Sequence, residues 1–136
     1  MNLQKIIKIF AVLFLIFAFA FKFYSLFHGS IGFDEAGITY VAKGMSEGGK
    51  LYVDYFDHKP PLMHYILMVY YKFIPVSVFS IKLIALIFDL LLIFSVFVVA
   101  RKISNNTLGL LSASIVSAYN LRLEMNAETL MAVCGL

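Results

Sequence analysis

Residues 76–100 read VSVFSIKLIALIFDLLLIFSVFVVA, and the basic pair Arg101-Lys102 follows them. Lys82 and Asp89 are the only charged side chains in this stretch. About 20 consecutive apolar residues suffice for a helix to cross the hydrocarbon core of a bilayer, which is roughly 30 Å thick. The stretch therefore predicts a membrane-spanning helix.

Three further apolar segments surround this stretch, at residues 6–27, 108–123 and 129–136. The first two predict spans, and the third is an incomplete one. Within the first segment, Lys22 is expected to extend its ammonium group toward the membrane interface. A cleavable signal peptide is the alternative for this segment, because Lys5 and Lys8 precede an apolar core, but the apolar residues continue past the Ala18-Phe19-Ala20 site to Phe27.

The composition excludes most other classes of protein. The 136 residues are 62% hydrophobic and 14% charged, with a mean hydropathy of +0.91. A soluble domain is about a quarter charged, and a disordered chain has few apolar residues. The net charge of +3 comes from scattered basic residues without a basic run, so no nucleic-acid partner is expected. The single cysteine, Cys134, allows neither a disulfide framework nor a metal-ligand pattern.

The distribution of charge predicts the orientation. Residues 62–74 form a run of about 13 residues, which is short for a crossing and favours a helix lying in the interface. With that helix flat, Lys5, Lys8, Arg101 and Lys102 all lie on one side, which the positive-inside rule makes cytoplasmic. The N-terminus is then cytoplasmic, and residues 28–75 form a loop on the outer face.

Two neighbouring carboxylates begin a short helix in this loop. Asp34 is the expected N-cap, Glu35 lies in the first turn, and the Gly48-Gly49 pair ends the helix. Adjacent residues on a helix do not share a face, so one carboxylate can point into a cleft and act as a general base. Taken alone, the dipeptide is more simply a solvated helix start.

The segment Asp57-His58-Lys59-Pro60-Pro61-Leu62 follows the short helix. Its prolines fix the backbone where the interfacial helix begins. At that depth the Lys59 ammonium could neutralise a lipid phosphate, and the simpler alternative is a lysine extended toward water at a helix end. Asp57 and His58 alone are too few ligands for a metal site.

Charges within the predicted spans are costly and often functional. Lys82 is expected to extend to the interface or reach a lipid headgroup. Asp89 is two turns further along and is expected to pair with a group from another helix. Arg122 and Glu124 are near the outer end of the next span, and Glu128 follows in a short turn.

Together these motifs resemble the start of the GT-C glycosyltransferases, closest to the branch of protein O-mannosyltransferases and aminoarabinose transferases. The resemblance covers essentially the whole chain. It rests on the acidic pair, the string ending in DHKPPL and a later acidic residue, here Asp34-Glu35, Gly49, Tyr52, Asp54, Asp57, Lys59-Pro60-Pro61-Leu62 and Glu128. The resemblance implies the N-terminal part of a multi-span, all-α GT-C bundle with interfacial helices in the first outer loop.

The resemblance also implies an activity: transfer of a sugar from a polyprenyl-phosphate-linked donor to an acceptor on the outer face. Asp34 would be the base, and Glu35 would support it or bind a divalent metal where the relative uses one. Lys59 and Lys82 would hold the lipid phosphate. Supporting positions are Asp57, His58 and Glu128. The chain departs from the family at Lys82, where arginine is more usual, and at Ile38, near which a tyrosine is common.

Length is the main departure, since GT-C enzymes carry many more spans. The chain is therefore expected to be inactive alone and to need the remaining spans from a longer chain or a partner chain. A non-catalytic membrane subunit or lipid-phosphate-binding module is the first alternative. A transporter or proton-relay fragment, suggested by Lys82 and Asp89, is the second.

Overall fold

The computed structural model describes residues 2–119, 121, 123, 124, 129 and 132. The described part is helical, with one isolated bridge between Leu51 and Tyr55 in a loop. Its five helices are α1 (Leu3–His28), α2 (Phe33–Ser46), α3 (Pro61–Phe73), α4 (Val78–Ile103) and α5 (Asn106–Tyr119). The prediction of an all-α chain is confirmed for these residues.

Helices α1 and α4 are long and apolar enough to cross a membrane. Each has 26 residues, which corresponds to about 39 Å of helix. α1 buries only a narrow stripe of residues, namely Ala11, Ala18, Lys22 and Leu26. The remaining surface of α1 is rich in exposed phenylalanine, leucine and isoleucine. These two helices correspond to the predicted segments 6–27 and 76–100.

The helix ends show why the chain turns where it does. Ser77 caps α4, because its hydroxyl accepts the Ser80 backbone N–H while the Ser80 hydroxyl accepts that of Ser77. The expected N-cap at Asp34 is wrong. The cap is Gly32, two residues earlier, so α2 begins at Phe33, and Glu35 Oε2 accepts the Gly32 N–H at 2.9 Å. The Glu35 side chain makes the contact with the cap residue, and Asp34 is not the cap.

The main core lies where α2, α3 and the first half of α4 meet. α2 packs against α3, and the Thr39 and Tyr71 hydroxyls lie 3.3 Å apart between them. Tyr70 joins α3 to α4 by donating to the Ser80 carbonyl at 2.9 Å. The apolar members of this core are Leu26, Ile38, Ala42, Met63, Leu67, Tyr71, Ile81, Ile84, Ala85, Leu86, Phe88 and Leu123.

Burial along α4 is uneven. Its buried residues all lie between Ser80 and Asp89, and none follows Asp89 within the helix. α5 packs against α4 and α1, with Gly109 close to Phe97 and the Ser114 hydroxyl 3.2 Å from the Ala11 carbonyl. The predicted segments 108–123 and 129–136 extend beyond α5 into residues that are partly outside the described set. Arg122, Glu128 and Cys134 belong to that undescribed part.

Candidate functional site

The first turn of α2 sends its two carboxylates in different directions. Asp34 is largely exposed, with 69% of its side chain accessible, whereas Glu35 is buried. Successive helical residues are separated by about 100° around the axis, which accounts for the divergence. Each carboxylate meets a lysine from a different part of the chain.

Asp34 meets Lys59, the lysine of the DHKPPL segment. Asp34 Oδ2 lies 3.4 Å from Lys59 Nζ, and the Lys59 side chain is 14% exposed. Both residues line a cavity of about 380 Å³ between α2 and the following loop. Aromatic side chains form much of its wall, namely Phe33, Tyr40, Tyr55 and Phe56. The arrangement places an ammonium and a carboxylate together at the edge of an apolar recess.

The loop fixes Lys59 at its backbone as well. The Lys59 N–H donates to Asp57 Oδ1 at 3.2 Å, and the Tyr52 hydroxyl donates to the Lys59 carbonyl at 3.1 Å. Tyr52 has a φ of 65°, an uncommon value for a residue with a side chain. Its N–H donates to the Tyr55 carbonyl at 2.7 Å, which closes the turn that holds this conformation. Pro60 and Pro61 then restrict the chain into α3.

The same turn depends on two glycines. The ring of Tyr55 lies directly against Gly44 of α2 and against Gly49, and a Cβ on either would overlap the ring. The loop can therefore approach α2 only where side chains are absent. Tyr55, held by this contact, is part of the wall of the cavity that Asp34 and Lys59 also line.

Glu35 meets Lys82 of α4 in a separate environment. Lys82 Nζ donates to Glu35 Oε1 at 3.0 Å and Oε2 at 2.8 Å, and also to the Leu123 carbonyl. Both side chains are buried. Lys82 is thus surrounded by acceptors and does not extend to an interface, contrary to expectation. A second cavity, of about 360 Å³, opens beside this pair with His28 and Glu124 in its wall.

The structure therefore separates the residues that the resemblance groups together. Asp34, Asp57, His58 and Lys59 line one cavity, while Glu35 and Lys82 line the other. Glu128 lies outside the described residues. Among the described residues, no group of three His, Cys, Asp or Glu side chains could hold a metal ion. Glu35, the suggested metal ligand, is occupied by the Lys82 ammonium group.

His64 is a site residue that the sequence analysis missed. It is fully buried on α3, and its Nε2 lies 3.3 Å from Asp57 Oδ2. The exposed His58 lies 3.3 Å from the other oxygen of Asp57. Burial lowers the pKa of His64, the Asp57 carboxylate opposes that effect, and Lys59 adds to it. The available signal was a histidine on the otherwise apolar face of α3 formed by Met63 and Leu67.

Asp89 pairs with another helix, as predicted. Its partner is Lys22 of α1, with Nζ 2.9 Å from Oδ2 and each side chain 1% exposed. The expectation that Lys22 extends toward the interface is wrong, because a buried carboxylate on α4 offers a closer partner. An apolar crevice of about 310 Å³ lies alongside, and Lys22 is the only charged residue among the described residues of its wall.

Comparisons of the chain with protein-family models, with curated proteins and with solved structures found no match.

Proposed function

We propose that this chain is the N-terminal part of a membrane glycosyltransferase of the GT-C type, which takes a sugar from a polyprenyl-phosphate-linked donor. The observation that carries the proposal is the pairing of Lys59 with Asp34 at the edge of one cavity. Sugar transfer from such a donor requires a cation for the leaving phosphate and a base for the acceptor. Lys59 and Asp34 supply one of each.

The membrane arrangement in this proposal has α1 and α4 as spans, the N-terminus in the cytoplasm and the cavity on the outer face. α3 then lies flat in the interface. It packs against α2 through one face and exposes an apolar stripe, formed by Leu62, Tyr65, Val69 and Phe73, on the other. Such a stripe suits the boundary between headgroups and acyl chains. In that position Lys59, just before α3, is at headgroup depth.

Lys59 is suited to hold the donor phosphate. Its side chain is mostly buried, and its backbone is held by Asp57 and Tyr52, so little ordering is needed when an anion binds. A phosphate would compete with Asp34 for the same ammonium. Donor binding would thereby release the Asp34 carboxylate beside the reacting sugar.

The reaction then proceeds in one displacement. Asp34 removes the proton from an acceptor hydroxyl or amine as that group attacks the anomeric carbon of the sugar. The bond from this carbon to the phosphate oxygen breaks, and its electron pair remains on the leaving polyprenyl phosphate. Lys59 neutralises the charge that develops there. No metal-dependent step is needed for this balance.

A non-catalytic lipid-phosphate-binding module is the second candidate, and the exposure of Asp34 favours it. Glycosyl transfer benefits from exclusion of water, yet most of the Asp34 side chain is accessible. In this alternative Lys59 binds the phosphate and no base is required. If the chain is part of a glycosyltransferase, further spans from a longer chain or a partner chain would cover Asp34. The binding module does not need Asp34 to be covered.

The deciding experiment uses two preparations: the full chain purified in nanodiscs, and the full chain in its native membrane. Binding of farnesyl monophosphate is measured first, and transfer from a polyprenyl-phosphate-linked sugar is measured second. Binding with Asp34-dependent transfer in native membranes supports the enzyme. Binding without any transfer supports the module, and absence of binding contradicts both.

A further inference from the structure

The Asp57 carboxylate connects the loop that carries Lys59 to α3 through side-chain contacts. One oxygen, Oδ1, accepts the Lys59 N–H at 3.2 Å and lies 3.3 Å from His58 Nδ1. The other oxygen, Oδ2, lies 3.3 Å from Nε2 of the buried His64. Asp57 itself is 11% exposed. A continuous path of contacts therefore runs from the interior of α3 to the backbone of Lys59.

We propose that His64 is a positioning residue for Lys59, because its Nε2–H holds the Asp57 carboxylate in the orientation that binds the Lys59 backbone. This inference rests on the proposed role of Lys59 in binding phosphate. Removal of His64 would leave Asp57 free to rotate toward His58 and water. The Lys59 ammonium would then lose its fixed place beside Asp34.

The surroundings of His64 make the ring a neutral donor. Asp57 and Lys59 are the charged groups that face it from the loop. From the helices packed around α3, Glu35 and Lys82 are engaged with each other. Neither ring nitrogen has a well-aligned hydrogen-bond partner among the described residues, and Nε2 is the one that lies near a carboxylate oxygen, 3.3 Å from Asp57 Oδ2. The proton is therefore placed on Nε2, toward Asp57.

The contact between His64 and Asp57 is long in the free protein. At 3.3 Å it exceeds a well-formed hydrogen bond, and its alignment falls short of one. Such contacts often shorten when a substrate binds. An anion on Lys59 adds negative charge near the ring, so binding should raise the pKa of His64. By reciprocity, protonation of His64 should strengthen anion binding.

The test is a pH titration of the full chain in phosphatidylcholine nanodiscs, followed by NMR with nitrogen-labelled histidine and lysine. We expect the Lys59 backbone amide to shift with the same midpoint as the His64 ring. Asp57→Asn should abolish that coupling, whereas His58→Gln should preserve it. His28 provides an internal reference, since its ring contacts the Tyr24 carbonyl and lies away from this loop.

Either of two results would overturn the proposal. One is a Lys59 amide whose chemical shift does not change as His64 titrates, and the other is coupling that disappears in His58→Gln. The wild-type titration decides the first result even if a variant fails to fold. Farnesyl monophosphate is then added, and the His64 midpoint should move to higher pH. Coupling without farnesyl monophosphate binding would retain the positioning role and contradict the proposed function. Binding of farnesyl monophosphate without coupling between His64 and Lys59 would support the proposed function and contradict the positioning role of His64.

Discussion

Asp34 and Glu35 are neighbours in the chain, yet their carboxylates pair with different lysines. Asp34 lies 3.4 Å from the loop residue Lys59, and Glu35 lies 2.8 Å from Lys82 of α4. The first pair is partly open to solvent and lines a cavity, whereas the second is buried and joins two helices. One acidic residue is thus available for chemistry, and the other holds the helix that presents it.

Replacement of Lys59 should weaken phosphate binding. Lys59→Gln removes a charge-assisted hydrogen bond, which contributes about 1.5–3 kcal/mol, so the affinity for farnesyl monophosphate should fall at least about tenfold. Isothermal titration calorimetry of the chain in nanodiscs measures this. Lys50→Gln is the matched control, because it removes an exposed lysine from the same loop. Equal losses in the two variants would show that only the net charge of the loop matters.

Replacement of Asp34 should separate binding from transfer. Asp34→Asn removes the carboxylate that competes with phosphate for Lys59, so the affinity for farnesyl monophosphate should rise by a few-fold. Transfer in native membranes should fall by about 10²-fold or more, because the base is lost. Parallel losses of binding and transfer would instead indicate that Asp34 serves only to order the loop.

The buried pair of Lys22 and Asp89 should behave as one unit. Asp89→Asn removes the carboxylate that lies 2.9 Å from the buried Lys22 ammonium and should reduce the free energy of unfolding by about 3–5 kcal/mol. The double variant Lys22→Met/Asp89→Leu should recover most of that loss, because both charges of this pair are removed together. Unfolding in mixed detergent gives both values. A double variant as unstable as Asp89→Asn would argue against mutual compensation.

Two glycines of α2 should respond in opposite directions to alanine. Gly44→Ala places a methyl group in the ring of Tyr55 and should cost about 1–3 kcal/mol, because the loop must move away. Gly37→Ala meets no atom within 4 Å and should stabilise α2 by about 0.5–1 kcal/mol. Thermal unfolding of the two variants compares the same substitution in one helix. Similar effects at both positions would contradict the close contact with Tyr55.

Stability should decrease on the acid side because of His64. The pKa of this buried ring is lowered from its ordinary value of 6.5, so the unfolded chain takes up the proton first as the pH falls. The free energy of unfolding should therefore drop below about pH 6.5, by at most about 1.4 kcal/mol per pH unit. In His64→Gln that contribution is absent, so the difference between the two proteins should narrow on acidification. A constant difference from pH 7.5 to pH 5 would show that His64 does not titrate on unfolding.

The sequence predicts the features that depend on local composition. The two long helices follow from uninterrupted apolar length, and the end of α2 follows from the Gly48-Gly49 pair, since the helix ends at Ser46. The need of Asp89 for a partner on another helix follows from the cost of an isolated charge in an apolar setting. These inferences use only residues close together in the chain.

The partners themselves could not be predicted, because they are distant in the sequence. The sequence predicts that Lys22 extends toward the membrane interface, and only the packing of α1 against α4 brings it to Asp89. Lys82 and Glu35 meet for the same kind of reason, since α2 folds back onto the start of α4. His64 is a site residue because α3 turns that face toward the interior, and the sequence pattern does not specify this orientation. Side-chain pairing across helices depends on tertiary geometry that periodicity does not contain.

The buried pair between α1 and α4 also bears on how the chain enters a bilayer. On the proposed topology, Lys22 emerges from the ribosome well before Asp89 is made, so α1 must first be accommodated without this carboxylate. A lysine at the centre of a helix costs about 2.5–3.5 kcal/mol in translocon-mediated insertion, and Lys22, which lies six residues before the end of α1, adds a smaller cost of the same sign. Release of α1 into lipid would therefore be delayed until α4 arrives, and the two helices would leave the translocon together. The same ion pair that joins the finished helices would set the order of their biogenesis.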